Sequence, residues 1–170
     1  MAAEQDILQI YRIAVRNAIT SGNRDVVPNS SPQHACIIIE EMLESAKESF
    51  VAFSGAFHDD VWNVSVINAL RRAQRRGVQI ALVASDDVSC MPEELKGNAF
   101  VVRKDEASAA ELSKLQSPVH HFAVADGRMV RVEYDLGKRM AAFSANRTDV
   151  ANALIDEFIK LRKISEKAAA

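Results

Sequence analysis

The stretch from residue 50 to residue 84 limits the possible folds more than any other part of the chain. Residues 50–53 form a short apolar run, which is typical of a buried strand. A helical pattern covers residues 61–76, and Gly77 follows it where a glycine commonly ends a helix. Residues 78–84 are a second apolar run. Two buried strands separated by a helix predict parallel pairing through a right-handed crossover.

Helices and strands follow one another through most of the remaining chain. The patterns predict helices at residues 6–19, 34–49, 106–115 and 146–163, and strands at residues 99–103, 119–125, 129–134 and 140–143. Asp126 and Gly127, between two of these strands, are a strong signal for a hairpin turn. We therefore predict an α/β fold, with a mixed, mostly parallel sheet flanked by helices.

The length of 170 residues suits one domain of common size. We expect this domain at residues 33–163, with an extra N-terminal helix in residues 1–22 before it and a frayed tail, residues 164–170, after it. A polar connector with two prolines separates the first helix from the domain. That helix could pack on the domain core, or it could bind a protein partner through its apolar side.

Composition and charge exclude several classes of protein. The net charge is −2 and the isoelectric point is about 6.1, so the chain as a whole does not attract nucleic acid or anionic membranes. No apolar run is long enough to span a bilayer, and we expect no membrane insertion. Cys36 and Cys90 are far apart and lack metal-site spacing, which favours a cytoplasmic protein without a disulfide scaffold or a bound metal.

The segment SPVHHFAVADGRMVRVE, with AAFSANRTD after it, carries the richest set of reactive side chains. His120 and His121 enter a predicted strand, and Asp126 stands at the end of that strand. Ser144 and Asn146 follow a later strand and open a helix. Histidine can act as a nucleophile or general acid near neutral pH, and the free amides of a helix N-terminus bind phosphate oxygens. Strand ends and helix starts are where α/β folds place their sites.

These residues resemble the paired motifs of the phospholipase D-like superfamily. HHFAVADG is similar to its H-x-K-x4-D motif, and FSANRTD is similar to its G-S-x-N motif. The upstream stretch FSGAF…INALRRAQRRGVQIALVAS is similar to the strand, helix and strand that precede the first motif. The resemblance covers about residues 34–163 and implies a phospholipase D-like half-domain.

The resemblance also implies a chemistry and a partner. The motif histidine attacks a phosphodiester to form a phosphohistidine, and the histidine of a second motif protonates the leaving group. Chains with a single motif therefore pair as homodimers, and no metal or cofactor takes part. The resemblance assigns phosphate binding to Ser144 and Asn146 of this chain.

No alignment register supplies both the motif histidine and the motif lysine. Counted back from Asp126, Val119 takes the histidine place and His121 takes the lysine place. A shift by one residue restores His120 but puts Phe122 where the lysine belongs. Because side chains alternate faces along a strand, the shift also turns the pair to the other side of the sheet.

The second motif is altered as well. Phe143 replaces the glycine before Ser144, where the backbone must approach a ligand closely. The segment before it is long enough to hold an extra strand. A replacement for the missing lysine charge could come from Lys138, Arg139, Arg128 or Arg147. Of these, Lys138 and Arg147 join Ser144 and Asn146 in the predicted phosphate site.

We therefore interpret the chain as a degenerate, noncatalytic phospholipase D-like domain that forms homodimers. It would either bind nucleic acid or another phosphate ligand, or assemble proteins. The alternative is an active homodimeric phosphodiesterase or nuclease with His120 or His121 as its nucleophile. An assembly role for the first helix predicts an exposed apolar stripe within residues 7–18.

Two further clusters have both a structural and a functional explanation. The four arginines of RRAQRR, residues 71–76, favour the end of a helix through its dipole, but they could also contact phosphate. Asp59 or Asp60 could cap the next helix. Together with His58, these aspartates could instead lie at the mouth of a site.

Overall fold

Seven strands form one sheet in the described part of the chain, and helices pack on both of its faces. The computed structural model describes residues 2–85, 91–101, 121–135 and 137–169. Its helices are α1 (Ala2–Ser21), α2 (Pro32–Ser45), α3 (Val64–Arg75), α4 (Glu93–Lys96) and α5 (Thr148–Ala169). Its strands are β1 (Val26–Asn29), β2 (Ser49–Ser54), β3 (Gln79–Ala84), β4 (Ala99–Val101), β5 (Phe122–Ala125), β6 (Met129–Asp135) and β7 (Met140–Ser144). The predicted helix at residues 106–115 lies outside the described residues.

The strands lie in the order β1-β7-β6-β5-β2-β3-β4. β2, β3 and β4 are parallel, and α3 connects β2 to β3 as predicted. The other four neighbouring pairs in this order are antiparallel. The α/β class and the mixed sheet are thus confirmed, but most of its pairs are not parallel. The cause is the short turns that join β5, β6 and β7, because turns of a few residues can only connect antiparallel strands.

The turn between β5 and β6 also holds the start of β2. Asp126 and Gly127 have φ angles of 50° and 60°, as the two central residues of a type I′ turn require. The Asp126 carboxylate accepts hydrogen bonds of 2.9–3.2 Å from the backbone amides of Lys47, Glu48 and Ser49. Asp126 therefore satisfies the amides that lead into β2, at the end of the sheet where the hairpin turns.

The two faces of the sheet carry separate hydrophobic cores. On one face, α1, α2 and α3 cover strand side chains that include Phe50, Leu82 and Phe143, all fully buried. On the other face, Phe158 and Leu161 of α5 pack against the strand side chains that alternate with those of the first face. This alternation follows from the two-residue period of a strand and makes the sheet the middle layer of the domain.

β1 lies in the segment that the sequence pattern presents as a polar connector. It pairs antiparallel with β7, so that Val27 stands opposite Phe143. Pro28 is compatible with this strand because β1 is at the edge of the sheet. The Pro28 carbonyl accepts a 2.8 Å hydrogen bond from the hydroxyl of Tyr11. Four residues with a proline give too short an alternation to predict a strand from sequence.

Several helix boundaries differ from the predicted ones. α3 starts later than expected because Asn63, not Asp59 or Asp60, caps it by accepting hydrogen bonds from two amides of the first turn. α5 continues to Ala169, and its core contacts extend to the buried side chain of Ile164. The Asn63 cap is a local contact, whereas the packing of Ile164 on the sheet is a tertiary contact that the local pattern does not contain.

α1 packs against α2 through an apolar face and a group of ion pairs. Val15 and Ile19 are buried in the core beneath α1. Arg12 and Arg16 both bind Glu41, which is only 3% exposed. Of the two arrangements that the sequence leaves open for the first helix, the structure therefore has the one in which it packs on the core.

Replacing Glu41 with glutamine is expected to weaken the docking of α1. The variant removes the buried carboxylate that Arg12 and Arg16 share, but Arg12 keeps Glu40 and Arg16 is more than half exposed, so the free energy of unfolding should fall by about 1.5 kcal/mol. Urea denaturation of the wild type and the variant measures this difference. Glu93→Gln is the matched control, because Glu93 pairs with Lys96 at the surface and should change stability by about 0.5 kcal/mol or less. Equal losses in the two variants would contradict a special role for Glu41.

Candidate functional site

A cavity of about 280 Å³ opens at the edge of the sheet where β2 and β6 end and β5 begins. The first turn of α2, the loop between β2 and α3, and strands β5 and β6 line it. Its ionisable lining residues are His58, Asp60, His121, Arg131, Glu133 and Arg139. Because it gathers titratable groups in a concave surface, this cavity is the candidate functional site.

His121 stands just before β5 with both of its ring nitrogens engaged. Its Nε2 accepts a 3.1 Å hydrogen bond from the backbone N–H of Gly55. Its Nδ1 lies 3.3 Å from Oε2 of Glu133, and its carbonyl accepts a 2.8 Å hydrogen bond from the Glu133 amide. This pattern assigns the proton to Nδ1 and the lone pair to Nε2. Neither nitrogen is free to attack a substrate.

A buried arginine lies behind His121. Arg131 is 7% exposed, and its Nε donates a 2.8 Å hydrogen bond to Oδ1 of Asn29, which is also buried. Its terminal nitrogen lies 3.8 Å from Oε2 of Glu133. Burial lowers the pKa of Arg131, and the charge of Glu133 opposes that change. Arg131 therefore links β6 to the edge strand β1 and supports the carboxylate that holds His121.

Glu133 joins the two halves of this network. Burial by itself would raise the pKa of its carboxyl group, but the hydrogen bond from His121 and nearby positive charge, including that of Arg131, together lower it. Glu133 is therefore ionised at neutral pH. Glu133 therefore contributes to the stability of the domain, because its removal would leave the buried Arg131 without a counter-charge.

Arg139 and Asp60 close the rim of the cavity. The Arg139 guanidinium lies 2.7 Å from an oxygen of Asp60 and joins the β6–β7 turn to the β2–α3 loop. Arg139 has a φ of 53° and Phe57 a φ of 52°, conformations that cost a non-glycine residue on the order of 1 kcal/mol. Phe57 is fully buried, with its ring centroid 4.9 Å from that of Trp62, which fixes the loop that carries His58.

The charges that line the cavity are balanced. Arg139 is paired with Asp60, and Arg131 lies beside Glu133. With neutral histidines, these four side chains sum to a formal charge of zero. A phosphate group that bound either arginine would therefore compete with the carboxylate already beside it.

The structure does not bring Ser144 and Asn146 to His121. His121 lies beside Glu133, whereas Ser144 is paired with Val130, which precedes Glu133 by three positions on β6 and lies about 10 Å from it along the strand. The physical reason is strand direction. β6 returns to the end where His121 lies, and β7 then runs back to the opposite end of the sheet.

The other residues predicted to bind phosphate have different partners. Asn146 donates a 2.9 Å hydrogen bond to the carbonyl of Gly22 and so ties the end of α1 to the start of α5. Arg147 binds Asp149, and this pairing keeps the pKa of the Asp149 carboxyl well below its usual range. Lys138 is exposed and lies 4.0 Å from Asp135. Neither Lys138 nor Arg147 lines the cavity.

Phe143, Ser144 and His120 are the remaining residues of the two motifs. Phe143 stands in the glycine place of the second motif, and it is fully buried among the α1–α3 side chains rather than beside a ligand. The hydroxyl of Ser144, the next residue, is buried and has no hydrogen-bond partner among the described residues. His120 lies outside the described residues.

The sequence pattern identifies His121, Arg139 and the His58 loop among the charged and titratable residues of the cavity, but it misses Arg131 and Glu133. Arg131 and Glu133 lie two positions apart on β6 and so face the same side. The hairpin signal at Asp126 and Gly127 already implies that β6 returns to His121. Counting strand directions from that turn, instead of following the S-x-N letters, would have identified Glu133.

Most of the arginines at the end of α3 are engaged in ion pairs. Arg71 binds Glu94, while Arg72 and Arg76 both lie within ion-pair distance of Glu44. Arg76 also donates to the carbonyls at the end of α2, including that of Leu43 at 2.6 Å. These contacts support the structural explanation of the cluster.

No three histidine, cysteine, aspartate or glutamate side chains come together among the described residues to hold a metal ion. None of the described helices is long and apolar enough to cross a bilayer.

Solved structures share this fold at low sequence identity. Nuc, a phospholipase D family member from Salmonella typhimurium, superposes with a TM-score of 0.58 and 14% identity over 82% of this chain and 94% of its own. NucT from Helicobacter pylori gives 0.56 and 12% over 83% of this chain and 97% of its own. The archaeal chromatin protein TrmBL2, described with a novel mode of DNA binding, gives 0.56 and 15% over 94% and 58%. This chain thus spans little more than half of TrmBL2.

No protein-family model and no curated protein sequence matches the chain. The resemblance is confirmed at the level of the fold by solved structures that include Nuc, a phospholipase D family member. The domain has a phospholipase D-like fold, in which the start of β5 and the end of β6 meet at the candidate site.

Replacing Glu133 with glutamine is expected to destabilise the domain by about 3 kcal/mol at neutral pH, because Arg131 loses its buried counter-charge. The pKa of Glu133 is lowered in the folded state, so its contribution is fully present above about pH 5 and is lost as the pH falls through the lowered value. The stability difference between wild type and variant should therefore shrink in acid. Urea denaturation at several pH values measures it, with Glu48→Gln as a surface control. A difference that grows below pH 4 would contradict this assignment.

Proposed function

We propose that this chain is a noncatalytic phospholipase D-like domain that acts in protein assembly, as a homodimer, rather than in phosphodiester chemistry. The contact that supports the noncatalytic part of this proposal most directly is the hydrogen bond that Nε2 of His121 accepts from the Gly55 N–H. A histidine nucleophile must present a free nitrogen lone pair to phosphorus. In this domain the Nε2 lone pair accepts a backbone N–H, and the Nδ1 proton is directed to a carboxylate.

The surroundings of His121 support the same conclusion. A lysine that would bind the phosphate is missing from the motif, and the two arginines of the cavity already have carboxylates within 4 Å. An enzyme stabilises the charge of a transition state with donors that need no rearrangement. Here the Gly55 hydrogen bond and an ion pair would both have to break before a phosphodiester could react.

Phosphodiesterase assays are expected to show no turnover by the wild type. Bis(p-nitrophenyl) phosphate and plasmid DNA serve as substrates, and a phospholipase D-type nuclease assayed in parallel shows that the conditions support the reaction. His120→Ala and His121→Ala should also give only the background rate. Wild-type turnover that either substitution abolishes would establish the alternative, an active homodimeric phosphodiesterase or nuclease.

A second candidate function is the binding of nucleic acid or another phosphate ligand. Arg139 lies at the rim of the cavity with its side chain more than half exposed, so release of Asp60 would offer one cation to a phosphate. The DNA binding described for TrmBL2, which shares the fold, points the same way. The balanced charge of the cavity and the net charge of −2 make this candidate weaker than assembly.

Duplex DNA is expected to bind no more tightly than nonspecific ligands do, with a Kd of roughly 10⁻⁶ M or weaker at physiological salt. Arg139→Gln should then change the affinity little. Fluorescence anisotropy with labelled DNA measures both values, and Arg75→Gln, outside the cavity, is the matched control. A much lower Kd that is lost in Arg139→Gln and kept in Arg75→Gln would favour the second candidate.

A further inference from the structure

The outer face of α1 carries large apolar side chains in water. Ile7, Ile10 and Ile13 are 61%, 67% and 48% exposed. Ala14, which is also exposed, follows Ile7 and Ile10 at the spacing of a coiled-coil seam. Isolated exposed apolar residues are ordinary, but three isoleucines on adjoining turns of one helix form a contiguous patch.

The packing of α1 in its own domain does not use these side chains. Val15 and Ile19 enter the core, and Arg12 and Arg16 bind Glu41 on α2. By the helical period, the three isoleucines lie on the side of α1 away from these residues. The packing of α1 on its own domain therefore does not account for the three exposed isoleucines.

We propose that the outer face of α1 packs antiparallel against the same face of a second copy of this chain. This inference rests on the assembly role proposed above and names its surface. With the two-fold axis near Ile10, the Ile10 side chains of the two copies meet. Ile7 of each copy then lies beside Ile13 of the other. A two-fold pairing of this kind needs one self-complementary patch, as most homodimers have.

The charges on α1 select the antiparallel direction. Asp6 is exposed near the start of the helix, and Arg16 is more than half exposed near its end, where its Nε binds Glu41. In the antiparallel pair, Asp6 lies opposite Ala14 of the second copy and about 3 Å along the axis from its Arg16. A parallel pair would instead put the two Asp6 carboxylates side by side, which is unfavourable.

Sedimentation velocity over a wide range of protein concentration tests the surface. We expect the wild type to dimerise and Ile10→Glu to raise the dimer Kd by roughly a hundredfold or more, because two carboxylates would meet at the two-fold axis. Val64→Glu is the matched control. Val64 is 76% exposed on α3, away from the patch, and its substitution should leave the dimer intact. Urea denaturation of both variants checks that the fold is kept.

Asp6→Ala tests the direction of pairing. The antiparallel arrangement predicts a weaker dimer, since Arg16 of the second copy loses a partner. A parallel arrangement predicts a tighter dimer, since a repulsion is removed. An unchanged or lower Kd would overturn the antiparallel assignment.

The remaining outcomes separate this inference from the proposed function. A wild-type dimer that persists in Ile10→Glu, or dissociates equally in Val64→Glu, overturns the α1 surface and leaves assembly in place. A wild type that is monomeric at every concentration overturns both the α1 surface and the homodimer. The phosphodiesterase assays test the noncatalytic assignment separately.

Discussion

The arrangement of the candidate site depends on one buried charge. Arg131 on β6 is held by Asn29 of β1 on one side and lies beside Glu133 on the other, and Glu133 in turn holds His121 next to β5. His121 then accepts the N–H of Gly55, just after β2. A line of polar contacts thus connects four strands at one end of the sheet. Because a buried cation without partners is costly, each contact constrains the next.

This network changes what the phospholipase D-like fold can do at that end of the sheet. Catalysis needs a histidine with a free lone pair and a cation that waits for phosphate. In this domain His121 serves as a bridge between a backbone amide and a carboxylate, and the arginines lie beside acidic side chains. In the noncatalytic domain that we propose, the same contacts that stabilise the sheet would oppose attack of His121 on a phosphodiester. Assembly through the exposed face of α1 would leave this network intact.

Sequence alone predicts much of the fold, because the strongest patterns are local. The strand–helix–strand unit, the turn at Asp126 and Gly127, and the final amphipathic helix all depend on neighbouring residues. β1 and the end of α5 depend on contacts between distant segments, such as that of Tyr11 with Pro28. Ser144, at the end of β7, lies toward the opposite end of the sheet from His121, and this separation follows from strand direction, which the S-x-N letters do not contain. His121 was identified from the motif, but its partner Glu133 becomes visible only once β5 and β6 are paired.

The tautomer and availability of His121 test this account most directly. Long-range ¹H–¹⁵N NMR spectra of the imidazole, recorded with and without a phosphodiester substrate, report which nitrogen carries the proton. The account predicts an Nδ1–H tautomer with an unprotonated, hydrogen-bonded Nε2, unchanged by the substrate. It also predicts that Glu133→Gln disturbs this tautomer. A proton on Nε2 in the wild type, or a ³¹P signal from a phosphohistidine, would contradict it.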